Sequence, residues 1–136
     1  MACPYFRPLA RLAPESWIDP PRLPLVDPFE GLCEAATEAW TPDGETLREC
    51  CSFGYARGRC ARFPANAPCD AVRFTAAGDG EIRYVLEKDC APVGHGPREA
   101  ATGRLAAQAE AFAGAWNRRP RKEGEPCSKA VRSANR

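Results

Sequence analysis

The chain has no Cys-x-x-Cys pair, only one histidine and no long apolar run, and each absence removes a class of protein. Common zinc knuckles need short-spaced ligand pairs, because each knuckle delivers two ligands from a single turn. With His95 as the sole histidine, mixed Cys/His ligation has little to draw on. Residues Met1 to Leu12 carry Pro4, Arg7, Pro8 and Arg11 and lack the apolar core of about 7 or more residues expected of a signal peptide. No segment approaches the roughly 18 apolar residues of a transmembrane helix. The expectation is a cytoplasmic chain that does not engage a membrane. Glycine-rich phosphate loops, the Gly-x-Ser-x-Gly elbow and the His-Glu-x-x-His pair are also missing, so nucleotide-driven and hydrolytic chemistry lack their usual signatures.

What the chain does have is sulfur. Eight cysteines stand at Cys3, Cys33, Cys50, Cys51, Cys60, Cys69, Cys90 and Cys127 in 136 residues. That exceeds what core packing asks of a small hydrophobe. A reducing cytosol disfavours structural disulfides, and dense cysteine there points to metal binding or catalysis. An even count also suits four disulfides, but that reading requires an export route.

The 14 prolines and 11 glycines exceed the typical share, roughly 12% of residues together, so much of the chain is expected to be irregular. Prolines at 4, 8, 14, 20, 21, 24 and 28 exclude a helix or central strand from the first 28 residues. The apolar residues among them, Phe6, Leu9, Trp17, Leu25 and others, suggest an extended arm wrapped over the body. Ala- and Glu-rich residues 29–40 favour a short helix. A second helix is expected from Pro42 to Ser52, with Thr41 as cap, Asp43 and Glu45 near the positive end of the dipole, and Gly54 as terminator. Alternation over Ala71–Ala76 and Glu81–Glu87, around Ala77-Gly78-Asp79-Gly80, predicts a β-hairpin. A helix opening at His95–Glu99 follows, with Ala101, Leu105, Ala109, Phe112 and Trp116 on one face and Pro120 ending it. The fold class is therefore small α+β: a Pro-rich irregular N-terminal half around a metal cluster, a β-hairpin and a C-terminal amphipathic helix. Residues 1–119 form the single Cys-rich metal-cluster domain, and 120–136 a basic, flexible tail.

The dispersed spacing suits an iron–sulfur cluster better than zinc, since a cluster with bridging sulfides is larger and takes thiolates from separate segments. The step Cys3-Pro4 resembles the one that closes bacterial ferredoxin motifs, so the chain resembles iron–sulfur proteins in general and no specific family. Adjacent helical side chains diverge by about 100°, so one of Cys50 and Cys51 is expected to be a bystander. The candidate ligand set for one [4Fe–4S] cluster is Cys3, Cys33, Cys50 and Cys60, with Cys51 as alternate to Cys50. Cys69, Cys90 and Cys127 are taken as ordinary thiols. In the segment 50–64, Gly54 and Gly58 are expected to let the backbone approach sulfide, aromatics to exclude water, and Arg57, Arg59 and Arg62 to offset cluster charge. His95 reads as a loop or capping residue.

Net charge is +1 but uneven: residues 117–136 hold seven cations against Glu123 and Glu125, leaving the rest acidic. Such a tail can meet phosphate without sequence readout. The functional expectation is an electron-transfer or redox-sensing protein with a redox or regulatory protein partner, and not an enzyme. The alternative is a zinc-binding interaction module that contacts nucleic acid through its tail.

Overall fold

A computed structural model describes residues 1–13 and 23–119. The basic tail at 120–136 with Cys127, and Pro14, Trp17, Pro20 and Pro21 of the arm, lie outside the described residues. The architecture is small α+β, with two antiparallel sheets and two helices, one of them C-terminal. Among the described residues no helix is long and apolar enough to cross a membrane.

The N-terminal region is more regular than its prolines suggest. Strand β1 (Phe6–Arg11) pairs antiparallel with β2 (Phe29–Cys33), Phe6 opposite Cys33 and Arg11 opposite Phe29. The register slips between Pro8 and Ala10, and a two-stranded ladder with an irregularity is a place where a strand tolerates proline. At Gly31 a Cβ would stand 2.0 Å from the Arg7 carbonyl oxygen, so only glycine lets the strands approach this closely. The helix expected over 29–40 is absent. Phe29, Gly31 and Cys33 are buried and Glu30 is exposed, a period of two that Ala/Glu composition concealed.

Helix α1 (Gly44–Thr46) is a single turn whose first donor is capped by Asp43 and not by Thr41, with Thr46 N donating to Asp43 Oδ1 at 2.7 Å. It widens into a π-helical turn over Leu47–Cys51, closed by Ser52 N donating to the Leu47 carbonyl at 3.1 Å. The expected helix to Ser52 is therefore real in extent but changes winding halfway. Gly54 follows at φ +70°, the left-handed stop that glycine supplies.

The hairpin forms as read, with β3 (Ala71–Ala76) against β4 (Ile82–Lys88) and Phe74 opposite Tyr84. Its turn is fixed by Ala77 N to Glu81 O at 2.8 Å and Glu81 N to Asp79 Oδ1 at 2.9 Å. A third strand, β5 (Ala91–Pro97), adds to β4 and was not expected. It contains His95 and Pro97, which were assigned to a helix start; Pro92, Gly94, Gly96 and Pro97 obscure a strand that sits at the sheet edge, where such residues are tolerated. After a 3-10 turn (Arg98–Ala100) comes helix α2 (Gly103–Arg118). It buries Gln108, Ala109, Phe112, Ala113 and Ala115. Phe112 stacks between Phe74 and Trp116, at centroid distances of 5.4 and 5.8 Å. Phe6, Leu25, Phe29, Val72 and Ile82 complete one core joining both sheets to α2. The N-terminus is stitched into it by Ala2 and Val72, which exchange backbone hydrogen bonds of 2.7 and 2.8 Å.

Candidate thiolate site

Four stretches of chain meet beside the β1–β2 ladder, and each brings cysteine. Cys3 precedes β1; its N–H donates to the Cys51 carbonyl at 3.0 Å, and its own carbonyl accepts from Phe6 N and from Gln108 Nε2. Cys33 ends β2 and exchanges two backbone bonds with Trp40, of 2.7 and 2.9 Å, which close the intervening loop. Cys50 and Cys51 end the π turn. Cys60 sits in a tight turn whose N–H donates to the Ala56 carbonyl at 2.7 Å. All five side chains line one narrow cavity of about 10 Å³, room for about one water.

The winding of the π turn explains why both neighbours reach it. With i→i+5 bonding, more residues share each turn, so the angular step between Cys50 and Cys51 falls below the α-helical value of about 100°. Both line the cavity, whichever of the two is the bystander. Both lie in electrostatic range of Cys3 and Cys60. They are not equivalent, however. Cys51 is the more deeply buried of the two, 5% exposed against 9% for Cys50, which also feels Arg59 and Glu49.

Burial makes these sulfurs reluctant acids in the metal-free chain. Desolvation, then the neighbouring sulfurs, pushes the Cys3 thiol up to about 12. The same causes in the same order raise Cys51 further. Desolvation followed by Cys60 raises Cys50, with Arg59 opposing.

The surroundings are soft and apolar. Tyr5, Trp40 and Phe63 wall the cavity, Tyr5 and Phe63 meeting edge-on at 5.6 Å. Arg62 lies over the Trp40 ring at 4.2 Å and also lines the cavity. Arg57 turns away to Asp70 and Asp89, and Arg59 donates to the Glu49 carbonyl at the site's edge, close enough to oppose the rise of the Cys50 thiol. The glycines do not cradle it either. A Cβ on Gly54 would press on Met1 and Ala71, and one on Gly58 would meet nothing, so both serve chain turns. Tyr55 leaves the site to donate to Glu87 at 2.6 Å.

Of the expected ligands, Cys3, Cys33, Cys50 and Cys60 are brought together, and the alternate Cys51 joins them. Cys69 is buried beside a different cavity, and Cys90 is exposed at the β4–β5 turn. His95 is exposed in β5, with Arg83 Nη2 at 3.5 Å from its Nδ1. Among the described residues no group of three or more His, Cys, Asp or Glu is disposed to hold a single metal ion. The five sulfurs share a wall without converging on one ion-sized point. Sequence reasoning missed Tyr5 and Trp40 as walls and Gln108 as an anchor for Cys3. An aromatic two residues after Cys3 was a visible signal; nothing in the sequence linked residue 108 to residue 3. No family model, no curated protein and no solved structure matches this chain.

Proposed function

We propose that the five-cysteine wall is the binding site of a thiolate-held iron–sulfur cluster, most simply one [4Fe–4S], and that the protein works in electron transfer or redox sensing. The observation that carries this reading is convergence: Cys3, Cys33, Cys50/Cys51 and Cys60 come from four separated segments and line one apolar cavity. Gathering five thiols from four segments is more than the packing of small apolar side chains calls for. The donors fit the group in kind, since thiolates are the standard ligands of iron–sulfur clusters. The cavity between them has room for about one water, so the turns that carry Cys50, Cys51 and Cys60 have to open for an eight-atom core to enter.

Cys3, Cys33, Cys51 and Cys60 are the ligands in this account, with Cys51 taking the place first given to Cys50 because it is the more deeply buried of the two. A cluster held there supplies one-electron chemistry at a potential the protein sets. The chain's own residues do the rest. Tyr5, Trp40 and Phe63 exclude water from the sulfurs, and Arg62 places one cation against their negative charge. Gln108 and the Cys51 carbonyl fix the backbone of Cys3. A sensing role follows from Cys3 as well: a ligand so near the N-terminus ties the first strand to the π turn, and its release loosens that tie.

The test is anaerobic purification of the full chain with iron, sulfide and zinc analysis and a visible spectrum. About four irons and four sulfides with broad visible absorption support the reading. Colourless protein with one zinc per chain refutes it in favour of a structural zinc module.

A further inference from the structure

The proposed ligand set leaves Cys50 unused, and that thiol stands in side-chain hydrogen-bond contact with Cys60. Cys3 and Cys51, by contrast, are set against the other sulfurs through charge rather than through a hydrogen bond. The contact is framed by the residues one step before each cysteine: Arg59 Nη2 donates to the Glu49 carbonyl at 2.9 Å and stands 3.7 Å from Glu49 Oε2. That pair joins the end of the π turn to the turn at 56–60, whose own bond runs from Cys60 N to the Ala56 carbonyl at 2.7 Å.

Access and freedom to move are both present. Cys60 is half-buried, so a small oxidant reaches its sulfur from solvent, whereas Cys50 is 9% exposed and has only to meet Cys60. The stretch between them turns through Gly54 at φ +70° and Gly58 at φ +83°. A Cβ on Gly58 would meet nothing, so the turn that carries Cys60 has space beside it to shift. Oxidation favours thiols that are accessible and have a second cysteine beside them to resolve the product. Cys60 and Cys50 meet those two conditions in that order.

We propose that Cys50 and Cys60 are a peroxide-oxidised pair that closes into a disulfide between the π turn and the turn at 56–60. The Cys60 sulfur takes one oxygen of hydrogen peroxide: the O–O bond breaks, a sulfenic acid forms, and the thiol proton leaves with the other oxygen as water. The Cys50 sulfur then displaces the hydroxyl: the S–S bond forms, the S–O bond breaks, and the hydroxyl departs with the Cys50 proton as a second water. The two thiols give up two electrons, and one peroxide becomes two waters. The reaction belongs to the metal-free chain and stands whether or not a cluster is ever bound. Cys60 is also among the ligands proposed above, so a bridge there and a cluster held there exclude one another.

The experiment is equimolar hydrogen peroxide on the full chain, after a chelator has stripped any bound metal and been removed, followed by blocking of free thiols and non-reducing peptide mapping. The expected product is about 2 Da lighter than the reduced chain, two hydrogens lost, with the link placed by fragmentation between Cys50 and Cys60 and reversed by dithiothreitol. Cys50→Ser is expected to remove the link and leave Cys60 as sulfenic or sulfinic acid, and Cys51→Ser to keep it. The wild-type map alone decides the pairing should either variant not fold. The proposal is overturned if Cys60 links to Cys3, Cys33 or Cys51, if it is oxidised in the wild-type chain without forming a link, or if it stays reduced while the exposed Cys90 reacts. Metal content of the chain before chelation reports separately on the cluster.

Discussion

Gln108 is the residue on which the N-terminal end of the site turns. One amide nitrogen bridges two main-chain carbonyls more than a hundred positions away in sequence, and substitution takes a bond from each, leaving the Cys3 carbonyl its bond from Phe6 N. Gln108→Leu is expected to destabilise the metal-free protein by about 1–3 kcal/mol, the penalty for an under-satisfied buried acceptor, measured by urea unfolding. An unchanged midpoint would show that Cys3 is held by other contacts. The adjacent cysteines make a sharper pair. Cys51→Ser should abolish metal loading, whereas Cys50→Ser should retain most of it, as read by iron per chain. Equal loss in both would show that the deeper burial of Cys51 does not decide ligation. On α-helical spacing the sequence makes one of the adjacent cysteines a bystander, with Cys50 first and Cys51 as alternate; the π winding that carries both to the cavity edge has no signature in Leu-Arg-Glu-Cys-Cys.

Among elements, the β1–β2 ladder carries the most consequence for the site, since β2 ends in Cys33 and β1 follows closely on Cys3. Gly31→Ala places a methyl 2.0 Å from the Arg7 carbonyl. Backbone has to move, so the cost should reach about 3 kcal/mol, the upper end for overpacking, and metal loading should fall with it. Unfolding and iron content of that one variant check both halves. Phe112→Ala acts elsewhere: it empties the stack with Phe74 and Trp116 and should cost about 3–5 kcal/mol while leaving metal binding in the folded fraction intact. The hairpin and the inward face of α2 were legible because alternation and helical periodicity are local signals. β1 and β5 were not, because proline and glycine within them carry the same signal as irregular chain; what makes them strands is a partner supplied from elsewhere. The four expected ligands were legible as scattered sulfur, and their meeting was not, because it is the product of that unexpected ladder.

Across the whole molecule, Tyr5 lines both the cysteine wall and the cavity at the start of α2. Protonation links site and stability. Burial raises the Cys3 thiol from 9.0 to about 12 in the metal-free protein, so the native state holds this proton more tightly than the unfolded chain. Its contribution is therefore complete below about pH 9 and is lost as pH rises toward 12. The metal-free chain should melt at progressively lower temperature across that window. Metal-loaded protein, whose ligating sulfurs carry no proton, should lack that component, and loading should release protons and strengthen with pH. Parallel melting curves for the two forms would contradict this.

The most direct measurement is native mass spectrometry of the full chain prepared without oxygen. The account predicts one species heavier than the polypeptide by four irons and four sulfides, reduced to bare chain by Cys33→Ser and unaffected by Cys90→Ser. A wild-type spectrum showing only the bare polypeptide, with all eight thiols free to alkylation, would contradict it.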